Sequence, residues 1–403
     1  MSRSLRVLHV INSLDPRSGG PTYALFGLIR QQLTTGTPTF IAATDMQAGV
    51  GGLSKEEYLA RLKQNDLLQA VPYLLLPSFG RGRPWNHLGF APSARSRLRE
   101  FIKAHSISLV HVHGVFGWIT SVVCRLCWEL NIPYVIEPYG AYDLPCLNSH
   151  FWPLKYLYHA LFTKAEFDSA IAIKVASSRE AGYLAQIGTW HPKIFVLPYG
   201  VDVPHVLKCQ NENSSPNVCY VSRITKKKRP EWVVMACQKV RSTNPELNLT
   251  VTIAGSDDGH RRELEGVIAK FSAQAWVRVV DFVQGERKRE LFETSSVFVL
   301  PSRDESLGAV VLEAMAHGVP VVVTPGVAAH EYVDAAGCGF TVEDSVDAVA
   351  DGIRRVLQSD RKELGRRGRE YVARHLAWPQ IARQIEDMYA AAIEKHARKL
   401  AGA

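Results

Sequence analysis

The sequence predicts an α/β protein built from two Rossmann-like domains, each a doubly wound parallel sheet. Three observations carry this expectation. The chain has 403 residues, and a compact domain takes roughly 100–200. Short apolar strands alternate with helical stretches along most of the length, which is the pattern of βαβ units. The alternation breaks once, at residues 208–216, a polar run short of apolar side chains that suits a linker. The expected division is therefore a first domain at 1–207, a linker at 208–216, a second domain at 217–377 and a terminal helical piece at 378–403.

The elements follow in order. Residues 6–12 read as a strand, followed by a Gly/Pro loop and a helix from 22 to about 33. Strands at 108–112 and 134–137 enclose a helix. A strand at 170–176, a helix at 178–187 and a strand at 194–197 complete the first series. The second series has strands at 218–222, 249–254, 277–282, 297–300 and 320–324. Its helices fall at 230–240, 261–272, 288–294, 308–317 and 346–358. Trp378-Pro379 interrupts the last helical stretch, and an amphipathic helix runs from about 380 to 394.

Apolar residues make up 46% and charged residues 21%, which supplies two ordinary cores and excludes a disordered chain. The net charge of +8 suits anionic small molecules or an anionic membrane surface. No nucleic-acid motif accompanies it. No apolar run approaches the ~20 residues of a spanning helix, and the first residues lack the pattern of a signal peptide. A cytoplasmic protein is expected, peripheral on the inner face of the plasma membrane. The seven cysteines, at 124, 127, 146, 209, 219, 237 and 338, are odd in number and scattered. Cys124 and Cys127 form a CxxC without a partner pair, inside a helical apolar stretch, so packing is the better reading.

The most informative stretch is Pro301-Ser302-Arg303-Asp304-Glu305-Ser306-Leu307-Gly308, running into the helix at 308–317. That helix is apolar nearly all round and is expected to be buried, with one carboxylate, Glu313, at its middle. A buried carboxylate needs a donor, either a protein group or ligand hydroxyls. Glu305 stands before the helix, and Ser306, Leu307 and Gly308 bring the first-turn N–H groups to a helix N-terminus suited to an anion. A sugar, a diphosphate and a ribose fit in a row along this segment. A second basic loop, Ser222-Arg223-Ile224-Thr225-Lys226-Lys227-Lys228-Arg229-Pro230, sits at the carboxyl end of a strand, the edge where open α/β sheets bind ligands. A third, Gly19-Gly20-Pro21, follows the first strand. It is not a dinucleotide fingerprint.

These motifs resemble those of the family 4 retaining glycosyltransferases of the GT-B fold, in order from residue 6 to about 390. Glu305 and Glu313 match the family's E-x7-E element, with Ser306-Leu307 where Gly-Phe is usual. The resemblance implies that Glu305 meets the hydroxyls of the donor hexose and Glu313 the nucleotide ribose. Residues 222–228 resemble the G-R-x4-K loop, which implies Arg223 and Lys228 on the diphosphate; the loop itself leaves open which of Lys226, Lys227 and Lys228 reaches it. Gly19 and Gly20 resemble the family's glycine loop across the cleft from the donor phosphates. His111-Val112-His113-Gly114 ends a strand where the family often carries histidine. Tyr139, in Pro138-Tyr139-Gly140-Ala141-Tyr142-Asp143, stands where relatives place His or Arg, so His113, Tyr139 and Glu305 are the candidate catalytic residues. Pro198-Tyr199-Gly200-Val201-Asp202 resembles the family's P-N-G-V-D.

The resemblance further implies two domains facing across a cleft, a last helix crossing back onto the first, and a retaining hexosyl transfer. The donor would be an NDP-sugar and the acceptor a glycan or lipid-linked hydroxyl, in the synthesis of cell-surface polysaccharide. No cofactor beyond the NDP-sugar and no catalytic metal is expected, and no D-x-D is present. A nucleotide-sugar epimerase or a non-catalytic sugar-nucleotide binding protein on the same fold are the alternative functions. Two basic–aromatic clusters suit an anionic bilayer: Phe79, Arg81, Arg83 and Trp85; and Phe151, Trp152, Lys155, Tyr156 and Tyr158. A basic row, Arg95, Arg97, Arg99 and Lys103, lies on a helix between them.

Overall fold

The protein is described from a computed structural model that covers residues 5–15, 20–47, 54–79, 89–142, 152–204 and 215–401. Gly19, Arg81, Arg83, Trp85, Asp143, Cys146, Phe151, Cys209 and most of the 208–216 linker lie outside the described residues. The chain divides into two compact units. Residues 1–200 and 378–403 form the first, and 201–377 form the second.

The first unit carries the strands β1 Val7–Ser13, β2 Thr39–Thr44, β3 Tyr73–Leu76, β4 Leu109–His113, β5 Tyr134–Glu137, β6 Ala172–Val175 and β7 Ile194–Val196. They form one parallel sheet in the order β3-β2-β1-β4-β5-β6-β7. Its helices are α1 Gly20–Thr35, α2 Lys55–Lys63, α3 Asp66–Ala70, α4 Ala94–Ala104, α5 Trp118–Leu130, α6 Trp152–Tyr158, α7 Lys164–Ser169 and α8 Ser178–Ile187. A π-helical turn, His159–Thr163, joins α6 to α7. Local chemistry sets the ends. Pro21 opens α1 where its missing N–H costs nothing, and Ser54 with Glu57 forms a capping box on α2.

The second unit carries β8 Asn217–Val221, β9 Thr250–Ala254, β10 Val277–Val280, β11 Val297–Leu300, β12 Val321–Val323 and β13 Gly339–Thr341. This sheet is also parallel, in the order β10-β9-β8-β11-β12-β13. Its helices are α9 Pro230–Thr243, α10 Arg261–Lys270, α11 Gly285–Glu293, α12 Ala309–Ala316, α13 His330–Ala336, α14 Val346–Gln358 and α15 Arg361–His375. The last helix, α16 Trp378–Ala401, belongs to the first unit and packs on α1.

Both sheets reverse direction of winding at one place. In the first it lies between β1 and β4, and in the second between β8 and β11. Ligands of doubly wound sheets bind at the carboxyl ends of the strands at such a switch point. The loops after β8 and β11 are the basic loop 222–229 and the segment 301–308, so the topology brings together the two motifs of the second half.

Three features differ from the sequence reading. Strands β2, β3 and β13 and helices α2, α3, α6, α7 and α13 were not among the expected elements. Every residue of β2 is buried, so the strand shows no alternation, and a short buried run does not declare its period. Helix α12 is not buried all round, because Ala309, Val310 and Glu313 are half-exposed. The helix at 380–394 begins earlier, at Trp378, with Pro379 accommodated in its first turn.

Trp378 shows how tightly the returning helix is fitted. A Cβ added at Gly27 of α1 would lie 2.0 Å from its ring, and one at Gly200 would lie 2.3 Å from it. Gly182, in the exposed α8, has nothing within 4 Å of such an atom. The Gly27→Ala variant is therefore expected to lose about 1–3 kcal/mol through overpacking, while Gly182→Ala gains about 0.5–1 kcal/mol from helix propensity. Urea denaturation of the two variants decides; equal midpoints would mean that the ring has room to move.

Candidate functional site

In the second unit, the loop after β8 is held by backbone bonds before any ligand arrives. Ile224 N–H donates to Ser256 O at 2.9 Å and Asp258 N–H to Ile224 O at 3.1 Å. Gly255 is obligatory here, since a Cβ would stand 1.8 Å from Ser222 O. The 3₁₀ turn Lys226–Lys228 then ends at Arg229, whose φ of 51° is left-handed. Arg229 holds that unusual backbone by ion-pairing with Asp344 and stacking 4.1 Å from the Trp232 ring centroid.

The turn aims one lysine inward. Lys226 and Lys227 are exposed, whereas Lys228 is buried. Its Nζ lies 2.8 Å from Glu305 Oε1, with side chains only 11% and 13% accessible. Burial pulls the Lys228 ammonium pKa down, and Glu305 opposes that shift. The two motifs also meet through backbone, as Arg303 N–H donates to Lys227 O at 2.8 Å. Arg223 is more open and pairs with Asp258 at 2.7 Å.

The segment 301–308 is anchored on its other side. Glu305 N–H donates to Gly326 O at 2.8 Å, Ala328 N–H to Glu305 O at 3.3 Å and Ala329 N–H to Leu307 O at 2.8 Å. Leu307 is buried, so its side chain is an anchor and only its backbone is available to a ligand. Gly308 caps α12 at φ 83°, and a Cβ there would lie 2.7 Å from Val327 Cγ1. Val311 N–H turns back to Gly308 O at 2.9 Å, and the start of α12 forms the positive end of its dipole. Glu313, one turn deeper, is ion-paired to Lys288 of α11. The sequence reading left this partner open between protein and ligand. The result is two carboxylates, each held by a lysine, flanking a helix N-terminus at the switch point.

In the first unit, the sequence-predicted residues after β4 and β5 lie in a buried network. His9 and His111 are register partners on β1 and β4, and His113 stands opposite Glu137 of β5. His9 Nδ1 and His113 Nε2 are 2.9 Å apart, His9 Nε2 meets Gln32 Oε1 at 2.8 Å, and His113 Nδ1 meets the Tyr139 hydroxyl at 2.7 Å. His111 Nδ1 reaches the Tyr389 hydroxyl of α16 at 2.6 Å. Glu137 is ion-paired to Lys174 of β6 and lies 3.3 Å from His111 Nε2. Tyr139, at a left-handed φ of 56°, stacks on Tyr199. His113 is thus not an exposed group: both its ring nitrogens are engaged, and Tyr139 is the outer member of the pair. A small cavity is lined by His113, Glu137, Tyr139, Lys174, Tyr199 and Trp378. Gly20 has open space where a side chain would be.

The three histidines place ring nitrogens within 4.8 Å of one another, the residue type of a metal site. Five of their six nitrogens are committed to each other and to Gln32, Tyr139 and Tyr389. The sixth, His111 Nε2, has no hydrogen-bond partner among the described residues and lies 3.3 Å from Glu137 Oε2, with Lys174 on the other side of that carboxylate. The arrangement is that of a hydrogen-bond network around a buried ion pair. Cys124 and Cys127 are buried thiols in the core of this unit.

Several of these residues escaped the sequence reading. Lys174 could have been found, because a lysine inside the apolar strand Ala172–Val175 must have a buried partner. Lys288, Asp258 and Tyr389 carry no such signal. They lie on exposed-looking or amphipathic stretches, and only the fold brings them to their partners.

The carboxyl-terminal half matches the profile of the glycosyl transferases group 1 over residues 208–371, and the amino-terminal half that of glycosyltransferase family 4 over residues 55–204. An uncharacterized glycosyltransferase of Methanocaldococcus jannaschii is 26% identical over 342 residues, 79% of this chain and 85% of that protein. The D-inositol 3-phosphate glycosyltransferase of Salinispora tropica is 28% identical over 200 residues, 45% of this chain and 40% of that relative's length. Among solved structures, Anabaena HepE in complex with UDP and glucose superposes with a TM-score of 0.74 at 16% identity, over 96% of this chain and 99% of that one. At that identity the likeness is one of fold.

The network makes stability depend on pH in a defined direction. Burial lowers the pKa of His9 to about 4 and those of His111 and His113 well below the usual imidazole range. Glu180, which accepts from Ala176 N–H and Gly140 N–H, is pushed up to about 7, again chiefly by burial. Below pH ~6.5 the unfolded chain protonates three histidines that the native state keeps neutral, so their contribution is full above that pH and lost as pH falls. Glu180 acts oppositely, favouring the native state from pH 7 down toward 4.5. Three groups outweigh one, and the melting temperature is expected to drop between pH 6.5 and 5. Glu180→Gln should raise stability at pH 8 and steepen that drop. A flat profile in the wild type would refute the network's protonation states.

Proposed function

The chain belongs to the family 4 glycosyltransferases of the GT-B fold, and from that premise we propose that it moves a hexosyl group from a nucleoside-diphosphate sugar to a hydroxyl of a glycan or lipid-linked acceptor, with retention of configuration. The observation that carries this reading is the Lys228–Glu305 pair at the mouth of α12. A cation, a carboxylate and a helix N-terminus at one switch point suit a ligand that is a diphosphate at one end and a polyol at the other. HepE, bound to UDP and glucose, supports a nucleotide sugar as that ligand.

In this reading Arg223, Lys228 and the backbone of Ser306, Leu307 and Gly308 hold the diphosphate. As the sugar departs, negative charge grows on the leaving phosphate, and cations already in place stabilise it without reorganising. Glu305 accepts hydrogen bonds from hexose hydroxyls, two at once if both oxygens engage. Glu313 accepts from the ribose. The loops of the first unit, with Gly19 and Gly20, Tyr139 and, behind it, His113, serve the acceptor side. The charge on the leaving group is met by side chains and helix, so neither a divalent ion nor a cofactor is required. Retention rests on the family resemblance.

The acceptor reading, in cell-surface polysaccharide synthesis at the inner face of the plasma membrane, draws on the surface of the first unit. Leu157, Leu161 and Phe162 of the α6–α7 segment are exposed, Leu161 to 61%, as are Trp128 and Phe79. Such apolar groups, with Lys155 in the same segment, suit an anionic bilayer from the side, whereas Lys164 is paired with Asp168 at 2.7 Å. The α4 row contributes less than its sequence suggests, because Arg95 and Arg99 are both paired with Glu129. Among the described residues, no helix is long and apolar enough to cross a membrane.

The decisive variant is Glu305→Gln, which keeps the shape and one acceptor but removes the charge. Turnover is expected to fall roughly ten- to a thousandfold, corresponding to ~1.4–4 kcal/mol in the transition state. Binding of UDP or GDP without sugar should hardly change in calorimetry. Initial rates near wild type would make Glu305 a structural cap for Lys228. The wild-type rate should persist in excess chelator; loss restored by Mg²⁺ or Mn²⁺ would contradict metal-independent charge neutralisation.

Sedimentation with vesicles tests the membrane reading. Binding is expected on phosphatidylglycerol vesicles, fading with salt, and weakened in a Leu157→Ser, Leu161→Ser, Phe162→Ser triple variant. Salt-independent binding, or none, would leave this surface as ordinary solvated protein.

A further inference from the structure

We infer that Lys288 is a positioning residue for the nucleotide, acting through Glu313 on the ribose of a nucleoside diphosphate. The inference rests on the reading that Glu313 meets the ribose, and it assigns a residue that none of the sequence motifs contains. Lys288 lies on α11, and its half-buried side chain reaches across to Glu313 Oε2 on α12. Its Nζ also lies 6.0 Å from the ring centroid of Phe292, itself fully buried, so the side chain lies close to the core side of its own helix. The contact joins two helices that the main chain does not otherwise tie at this point. Glu313 Oε1 has no protein donor among the described residues.

The chemistry follows from this division of labour. A carboxylate that must accept from a ribose hydroxyl has to be held in one plane, with one oxygen presented to the ligand. Lys288 grips one oxygen and leaves the other. It also answers an electrostatic problem. A nucleoside diphosphate brings its own negative charge to a site that already contains Glu305 and Glu313, and like charges at such range repel. Lys228 offsets the first carboxylate and Lys288 the second, so the polyol acceptors do not repel the diphosphate. A lysine that instead swung to the nucleotide directly would keep its effect when Glu313 is neutralised, which gives the test its discriminating arm.

The experiment is a double-mutant cycle on the full chain, read by calorimetry with UDP, and with GDP if UDP does not bind. Lys288→Met should weaken binding roughly five- to fiftyfold, the range of one charge-assisted hydrogen bond, and Lys288→Arg should restore most of it. In a Glu313→Gln background, Lys288→Met should cost less than about twofold, because the two residues act as one unit. Circular dichroism and melting temperature confirm that each variant is folded; Lys288→Arg and the double variant carry the test if Lys288→Met alone is not. Unchanged affinity in Lys288→Met overturns the proposal. An undiminished penalty in the Glu313→Gln background overturns it too, since Lys288 would then act on the nucleotide directly or only on the fold. If the wild type binds neither UDP nor GDP, the donor-site reading falls first and the proposal with it, an outcome distinct from both.

Discussion

A charge taken out of water must be met by its opposite, and this constraint organises both units. In the second, Lys228 and Glu305 are almost inaccessible and face each other at 2.8 Å. In the first, Lys174 and Glu137 are buried at the ends of adjacent parallel strands. Such pairs rarely add net stability, because desolvation consumes much of the attraction, but removing one member leaves the other stranded at a cost of several kcal/mol. The structure accepts this liability where parallel strands end. The surrounding loops then have little freedom. Gly255, Gly308 and Gly326 press backbone against backbone or side chain, and the hydrogen bond from Arg303 N–H to Lys227 O ties together the two segments that carry the charges.

Much of the second unit was legible because its chemistry is local. The stretch 301–308 and the loop 222–229 declare themselves by residue type and by their place after strands, and the sheet order delivers them to one edge. What local pattern does not contain is the partner across space. Glu313 advertises a need for a donor without saying that Lys288 supplies it. Three consecutive lysines look alike in sequence, and only the 3₁₀ turn and the left-handed Arg229 decide that the third faces inward.

The first unit was less readable, for two reasons. Its strand β2 is short and buried at every position, and β3 alternates buried with half-exposed residues but reads Tyr-Leu-Leu-Leu, apolar on both faces, so neither shows in sequence the alternation that marks a strand. Its polar residues are also interior ones. His9, His111 and His113 each sit between apolar strand residues, and nothing in the spacing separates a catalytic histidine from one held in a network. Tyr139 illustrates the same limit. Its departure from the family pattern is visible in sequence, but its left-handed backbone, its stack on Tyr199 and its bond to His113 are properties of the folded loop.

The return of α16 to the first unit has a consequence for biosynthesis. Tyr389 supplies the partner of His111 Nδ1, and Trp378 fills the space beside Gly27 and Gly200. Both residues come from the last piece of the chain. On a ribosome the continuous second unit, residues 201–377, has all its strands and helices in hand before the first unit has its final helix. At about 5–20 residues per second, the sheet that emerges first waits on the order of ten seconds or more for its closing element. During that interval His111 lacks its Tyr389 partner and the face of α1 that meets α16 is uncovered. The amino-terminal unit is thus the last to finish, although it is the first to be made.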